Sequence, residues 1–244
     1  MRLLEIEGVR KTFGPLVAVS DASITVDTKE IVGLIGPNGS GKSTLLHCIC
    51  GRSMPDSGSI KINDKEVSQL SPRRRAREGM AIKFQLARIY LEKTVRENIL
   101  ISLQAKDSTL DLVMSRTRKS YEDKIQTLMA EFNLDEFATA PAKALSHGQQ
   151  QWLEIAMAMA VDPKLLLLDE PTAGMNVSER EETAILIRAA AQKCGILIVE
   201  HDLDFIKSLC NRISVLHYGQ VIASGTPAEI EADPRVREVY LTRV

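Results

Sequence analysis

The eight residues that end at Ser43 constrain the fold of this chain more than any other part of it. They read Gly36-Pro37-Asn38-Gly39-Ser40-Gly41-Lys42-Ser43, which fits the pattern GxxxxGK[ST]. A run without a polar side chain, Ile31–Ile35, precedes them, and a segment with apolar residues at helical spacing follows. Glycines let successive backbone N–H groups point at anionic oxygens, and the start of a helix favours negative charge. The pattern therefore predicts a buried strand, a phosphate-binding loop and a helix.

This phosphate loop, residues 36–43, indicates a nucleotide as the ligand. Lys42 is expected to reach the β- and γ-phosphates, and the Ser43 hydroxyl is expected to coordinate Mg²⁺. Thr44 would add a further phosphate contact. A glycine-rich turn that binds no ligand is the alternative, and it is disfavoured because the strand and the helix flank the motif as the chemistry requires.

An acidic pair provides the second chemical signal. Asp169 and Glu170 directly follow four consecutive leucines that read as another buried strand. An aspartate at the carboxyl end of such a strand would emerge beside the phosphate loop, where it can hold magnesium directly or through water. Glu170 would orient and deprotonate an attacking water. A cap for the following helix is the structural alternative for this pair.

The order of apolar patterns predicts an α/β fold. Strand-like runs at 165–169, 196–200 and 213–216 alternate with helical stretches at 178–194 and 203–210. Residues 59–62 alternate like an antiparallel strand, 81–85 read as a further strand, and about 94–160 are dominated by helical periodicity. We predict a P-loop NTPase (RecA-like) core with a mixed sheet, an antiparallel β subdomain and an inserted α-helical subdomain. The predicted division assigns 1–85 and 161–244 to the core and its β subdomain, and about 86–160 to the helical subdomain.

Composition excludes several classes of protein. The chain has 31 basic and 32 acidic residues and a formal net charge of −1, which disfavours nonspecific nucleic-acid binding. Four cysteines without paired spacing suggest neither a disulfide framework nor a zinc site. The apolar runs fall short of the ~18 to 20 residues needed to cross a bilayer, and the N-terminus lacks the pattern of a secretory signal. We expect a globular protein that stays where it is made.

A third segment carries a family resemblance. Residues 145–151 read Leu-Ser-His-Gly-Gln-Gln-Gln and resemble the LSGGQ signature of the ATP-binding cassette (ABC) ATPases. Together with the phosphate loop, the run that ends in Asp169 and Glu170, and His201 after a strand, the resemblance covers nearly the whole chain. It implies one ABC ATPase domain over residues 1–244 that binds and hydrolyses ATP with Mg²⁺.

The resemblance also assigns roles to single residues. Phe13 is similar to the aromatic that stacks on adenine, and Gln85 to the glutamine that touches magnesium and the reacting water and links the site to a membrane partner. His201 is similar to the histidine that hydrogen-bonds the γ-phosphate. A packing or strand-end role is the alternative for these residues. The signature residues that would meet the γ-phosphate of a nucleotide held by a second ABC ATPase subunit are Ser146, Gly148 and Gln149.

Two departures from the family pattern narrow the resemblance. His147 stands where most members have glycine, and residues 173–176, Ala-Gly-Met-Asn, replace the common Ser-Ala-Leu-Asp. With the C-terminal sequence, these features resemble importers of branched-chain amino acids and of urea or short amides. The implied partners are an identical or related ATPase subunit, integral-membrane permease subunits and, indirectly, a solute-binding protein. The implied location is the cytoplasmic face of the membrane.

Rival functions stay open at this point. A lipopolysaccharide-type exporter uses a very similar cassette, and a soluble ABC ATPase or a P-loop small-molecule kinase shares the phosphate loop. The absence of a second cassette and of sustained heptads disfavours the soluble ATPase, and the signature disfavours the kinase. A basic run, Arg73, Arg74, Arg75 and Arg77, is expected to form a solvated helix face and not a nucleic-acid or lipid site.

Overall fold

The computed structural model describes residues 1–83, 89–104 and 118–241. Its strands are β1 (Arg2–Phe13), β2 (Leu16–Asp27), β3 (Ile31–Ile35), β4 (Ser57–Ile62), β5 (Lys65–Glu66), β6 (Met80–Lys83), β7 (Leu165–Asp169), β8 (Gly195–Val199), β9 (Arg212–His217) and β10 (Gln220–Gly225). Its described helices are α1 (Lys42–Cys50), α2 (Pro72–Arg77), α3 (Val95–Gln104), α4 (Arg118–Glu131), α5 (His147–Met159), α6 (Val177–Ala191), α7 (Leu203–Leu209), α8 (Pro227–Ala232) and α9 (Pro234–Leu241). None of the helices in the described ranges is long and apolar enough to cross a membrane.

One mixed sheet organises the strands in the order β5-β4-β1-β2-β10-β9-β3-β8-β7-β6. Its centre is parallel, since β3 pairs in parallel with both β8 and β9, and β7 pairs in parallel with β8. Its other end is antiparallel, through the pairs of β1 with β2 and of β1 with β4. Every residue of β3, β7 and β8 is buried, as expected for strands covered on both faces. The predicted α/β class with a mixed sheet is confirmed.

The chain divides into two compact units. The first contains residues 1–82, 164–170 and 191–244, and the second contains 83–163 and 171–190. The second unit includes helices α3, α4 and α5, and α3 packs against both of the others. Val95 and Ile99 of α3 and Leu153 of α5 are fully buried there. The division predicted from the sequence, with a helical subdomain at about 86–160, stays a prediction.

The basic run on α2 corrects one expectation. Arg73, Arg74 and Arg77 are exposed, but Arg75 is completely buried. Its guanidinium donates hydrogen bonds to the carbonyls of Cys48 and Ile49 in the last turn of α1. The predicted solvated face is therefore wrong at this residue, because the helix C-terminus presents carbonyls that a cation can satisfy.

The described chain ends in a short helix, α9, over residues 234–241. The helix begins where the Asp233 carboxylate accepts a hydrogen bond from the backbone N–H of Arg235, at 2.8 Å, and Val236 is buried. A side-chain cap and one apolar anchor are thus sufficient for a short helix. The strand predicted at 81–85 is observed as β6 up to Lys83, and residues 84 and 85 lie outside the described part of the chain.

Candidate nucleotide site and signature segment

The phosphate loop lies where the sequence places it, between β3 and α1 in the first unit. Two of its glycines are required because backbone carbonyl groups of other segments lie too close for a side chain. A Cβ atom at Gly36 would lie 2.1 Å from the carbonyl oxygen of Leu216, and one at Gly41, where φ is +105°, would lie 2.2 Å from that of Ala18. No other residue fits these positions without moving the backbone.

Polar groups inside the loop are arranged for an anion. Lys42 is buried, and its ammonium donates to the carbonyls of Gly36 at 2.8 Å and Pro37 at 3.0 Å. Ser40 is also buried, and its hydroxyl is one of the few buried side-chain polar atoms in the described ranges without a hydrogen-bond partner. A buried hydroxyl without a partner is costly unless a ligand or water satisfies it. The residues present therefore fit a bound phosphate group.

A cavity of about 460 Å³ opens at the loop. Six of the predicted nucleotide-binding residues line it together with Glu170 of the acidic pair. The remaining walls come from the β1–β2 hairpin and from the turn between β9 and β10. The full lining is Leu16, Val17, Ala18, Asn38, Gly39, Gly41, Lys42, Ser43, Thr44, Glu170, Tyr218 and Gly219.

The acidic pair ends β7, as the sequence indicates. Asp169 is buried and pairs with Val199 of β8. Glu170 follows in the left-handed backbone region, with φ of 45°, and its N–H donates to the Val199 carbonyl at 2.9 Å. Residues other than glycine adopt this conformation at a cost and cluster at functional sites. Glu170 is also one of the residues that line the cavity.

His201 follows β8 and lies beside two carboxylates. Its Nδ1 is 3.8 Å from Oε1 of Glu170 and 3.5 Å from Oε2 of Glu200. The His201 side chain is 61% exposed, whereas that of Glu200 is fully buried. Glu200 also accepts a hydrogen bond from the His201 backbone N–H at 3.0 Å. Sequence reasoning missed Glu200, although an acid directly before His201 at the end of a buried strand was a readable signal.

Sequence reasoning also missed the cavity walls formed by two hairpins. Leu16, Val17 and Tyr218 are exposed and apolar or aromatic, and they line the cavity. Tyr218 and Gly219 form a two-residue turn with positive φ at both positions, and the Gly219 N–H donates to the Ser40 carbonyl at 2.9 Å. This turn therefore supports the phosphate loop directly.

Phe13 does not line the cavity itself, but it pairs across the β1–β2 hairpin with Leu16, which does. It is the last residue of β1, its ring is half exposed, and the Lys11 ammonium lies 5.6 Å from the ring centroid. Gln85, the predicted link between magnesium, water and a membrane partner, lies outside the described residues.

The signature residues belong to the second unit, at the start of α5. Ser146 caps this helix in a reciprocal capping box: its hydroxyl accepts from the Gln149 N–H, and the Gln149 side chain accepts from the Ser146 N–H. Gly148 is buried in the first turn. His147, the departure from the family pattern, places Nε2 2.9 Å from the carbonyl oxygen of Ala173. The second departure, residues 173–176, is thus in direct contact with the first.

Magnesium is compatible with the donor set. Among the residues that the structure describes, no group of three or more His, Cys, Asp or Glu side chains could enclose a metal ion. Mg²⁺ in nucleotide sites is held by one or two protein oxygens together with phosphate oxygens and waters. The Ser43 hydroxyl at the cavity and the Asp169 carboxylate at the end of β7 supply oxygens of this kind.

Comparison with known proteins identifies the family. The profile of the ABC transporter family matches residues 19–173, and that of the branched-chain amino acid ATP-binding cassette transporter family matches residues 220–241. The high-affinity branched-chain amino acid transport ATP-binding protein BraF of Pseudomonas aeruginosa is 34% identical over 248 residues, which cover 98% of this chain and 97% of that protein. The lipopolysaccharide export system ATP-binding protein LptB of Escherichia coli is 36% identical over 242 residues, with 99% and 98% covered.

Solved structures give the same result. The crystal structure of the ADP conformation of MJ1267, an ATP-binding cassette of an ABC transporter, superposes with a TM-score of 0.87 and 29% identity and covers 99% of both chains. The resemblance read from the phosphate loop, the acidic pair and the signature is confirmed. The chain belongs to the ABC transporter family, as an ATP-binding subunit that hydrolyses ATP to power transport.

Proposed function

We propose that ATP binds in the cavity of the first unit with its phosphates on the phosphate loop. The observation that carries this proposal is the grouping of Lys42, Ser43 and Glu170 around one cavity. Lys42 would turn from the loop carbonyls to the β- and γ-phosphates, where its positive charge would stabilise their negative oxygens. The backbone N–H groups of residues 36–41 and the hydroxyls of Ser43 and Thr44 would complete the phosphate site. Ser40 would offer its buried hydroxyl.

Ser43, Asp169 and Gln85 are the residues proposed to hold magnesium. When bound, the ion would neutralise charge on the phosphate oxygens. Catalysis of phosphoryl transfer consists mostly of such charge stabilisation and of positioning the reacting groups. Glu170 would orient the attacking water and accept its proton, and His201 would donate a hydrogen bond to the γ-phosphate. The closeness of His201 to Glu170 supports a shared role at the reacting phosphoryl group.

The adenine base is proposed to stack on Phe13, whose ring is half exposed as a stacking surface must be. Leu16, Val17 and Tyr218 would border the nucleotide on the sides formed by the hairpins. Stacking requires only the face of a ring, so this arrangement would give affinity with little selectivity for the base.

Each chain is proposed to complete the nucleotide site of a second cassette, identical or related. Ser146, Gly148 and Gln149 lie at a helix N-terminus, where backbone N–H groups favour an anion. That anion would be the terminal phosphate of ATP held by the other cassette. Binding of two ATP molecules would close the pair, and hydrolysis would release it. The pair would sit at the cytoplasmic face of the membrane on integral-membrane permease subunits, which would convert this cycle into transport, with a solute-binding protein as an indirect partner.

The proposed cargo is branched-chain amino acids or urea and short amides. Support comes from the profile matched at residues 220–241 and from the transport role that the name of BraF states. Lipopolysaccharide export is the second, weaker candidate, because LptB is 36% identical to the chain over almost its full length. The cassette is not expected to contact the cargo, so the comparison of candidates has to use the assembled transporter.

Two assays test these proposals. In the assembled complex, ATP turnover should rise when leucine, isoleucine or valine, or else urea, is presented with the solute-binding protein; stimulation by lipopolysaccharide alone would favour export. In the isolated chain, Glu170→Gln should retain ATP binding and lose nearly all phosphate release. The exposed Glu181 supplies a matched control, since Glu181→Gln makes the same change of charge at a residue that does not line the cavity. Turnover at the wild-type rate in Glu170→Gln would refute the assigned role.

A further inference from the structure

Glu179 connects the starts of two helices in the second unit. It lies in the first turn of α6, 33 positions after Ser146 in the chain, and its side chain is half-buried. One carboxylate oxygen faces the signature segment, and the other faces residues 173–176. The signature segment and the second departure from the family pattern, residues 173–176, therefore meet at this carboxylate.

The contact with the signature is direct. The Ser146 hydroxyl donates to Oε1 of Glu179 at 3.3 Å. The oxygen of this hydroxyl accepts the Gln149 N–H, so a phosphate could be bound only through the hydroxyl proton, which Glu179 holds. A Cβ atom at Gly148 would lie 2.7 Å from the same Oε1, so glycine at 148 is what lets the carboxylate approach the helix. Glu179 thus lies against both Ser146 and Gly148, the residues proposed to meet a phosphate.

The other oxygen fixes the carboxylate in place. Oε2 accepts the N–H of Asn176 at 3.1 Å, and the Asn176 side chain accepts the N–H of Glu179 at 3.0 Å. This reciprocal pair is a capping box at the start of α6. The N-termini of both α5 and α6 therefore act on a single negative charge, and each end favours that charge.

We infer that Glu179 is a positioning residue that acts as a resident anion at the signature segment. This inference rests on the proposed binding of a second cassette's terminal phosphate at Ser146 and Gly148. Before nucleotide arrives, the carboxylate holds the Ser146 hydroxyl. Closure of the pair then requires that hydroxyl to turn to the phosphate, while the two negative groups repel one another. After hydrolysis the carboxylate regains the hydroxyl, which favours separation of the two cassettes.

The inference predicts that removing the charge tightens the ATP-bound pair. The parent protein is the full chain with Glu170→Gln, and the measurement is the ATP concentration that gives half-maximal dimer in the presence of Mg²⁺, by analytical ultracentrifugation. Adding Glu179→Gln keeps the shape of the side chain and its capping box, because glutamine also serves at this position of a capping box. The half-maximal ATP concentration should fall about 3- to 10-fold, the range expected for a charge at a helix terminus.

Two further variants separate charge from shape. Glu181→Gln, on the exposed side of the same helix, should leave the half-maximal concentration within about twofold of the parent. Glu179→Asp keeps the charge and should not tighten the pair. If Glu179 had a purely structural role, Glu179→Gln should instead raise the half-maximal ATP concentration.

The outcomes are distinct. If the parent dimerises with ATP but Glu179→Gln leaves the half-maximal ATP concentration unchanged or raises it, the inference is overturned and the proposed function is not. If Glu179→Asp lowers the half-maximal ATP concentration as much as Glu179→Gln does, the inference is also overturned, since charge would then not be the cause. A parent that does not dimerise at any ATP concentration overturns the proposed function and this inference with it.

Discussion

Replacing Arg75 with methionine should remove a cation that completes the C-terminus of the helix carrying the phosphate loop. The guanidinium is completely buried and donates to the carbonyls of Cys48 and Ile49 in α1. It also donates to the carbonyl of Leu70 at 2.9 Å and to that of Ser68 at 2.7 Å. Burial lowers the pKa of this group from its ordinary value, although an arginine stays protonated in a protein.

Two opposing effects set the magnitude. Each buried carbonyl left without a donor costs about 1–3 kcal/mol. Four carbonyls lose the Arg75 donor, and that of Cys48 keeps another, the Gly51 N–H at 3.3 Å. Methionine avoids the cost of burying a charge, which recovers several kcal/mol. The lost hydrogen bonds outweigh the avoided burial of a charge, so the free energy of unfolding should fall by about 3 kcal/mol. This is a large share of a total stability of about 5–15 kcal/mol.

Urea unfolding followed by far-ultraviolet circular dichroism measures this loss. Arg74→Met is the matched control, because Arg74 is the exposed neighbour on the same helix and should change the free energy by about 0.5 kcal/mol or less. ATP affinity should also fall in Arg75→Met, since α1 positions Lys42. A free energy of unfolding within about 1 kcal/mol of wild type would refute the assignment of Arg75 as the cap of α1.

Three further perturbations test other parts of the structure. Hydrogen bonds from Lys11 and Thr12 lower the pKa of Asp56 from 3.8 to about 2. Asp56 therefore stabilises the folded state above about pH 4 and loses this effect as the pH falls through about 2. In Asp56→Asn, the free energy of unfolding in urea should therefore fall less steeply between about pH 4 and pH 2 than in the wild type; an unchanged slope would contradict this. Burial raises the pKa of the Cys194 thiol to about 12, and a thiol reagent at pH 8 should leave it unmodified until urea unfolds the chain; rapid labelling of native protein would contradict its burial. Trp152→Phe removes a hydrogen bond of 2.8 Å from the indole to Thr183 and should cost about 1 kcal/mol in urea unfolding, whereas no loss would show that the bond is energetically neutral.

Local sequence patterns were sufficient to predict the strands of the parallel core and the phosphate loop. Strands β3, β7 and β8 were readable because residues buried on both faces leave an uninterrupted apolar run. The loop was readable because its glycines meet a backbone requirement that no other residue satisfies at Gly36 and Gly41.

Features that depend on distant parts of the chain were not readable. Arg75 belongs to a run that looks solvated, and only the carbonyls at the end of α1 explain its burial. The contact of Ser146 with Glu179 joins residues 33 positions apart, and neither residue signals the other. Tyr218 reaches the cavity because its turn packs on the phosphate loop, which is a property of the sheet order and not of the local sequence.

The central claim is that ATP joins two cassettes by binding between the phosphate loop of one and the signature segment of the other. Analytical ultracentrifugation of Glu170→Gln, alone and with its permease subunits, tests this most directly. The account predicts a dimer with ATP and Mg²⁺ and a monomer of the isolated chain with ADP, because only the terminal phosphate reaches both surfaces. A protein that stays monomeric with ATP in both settings would contradict it.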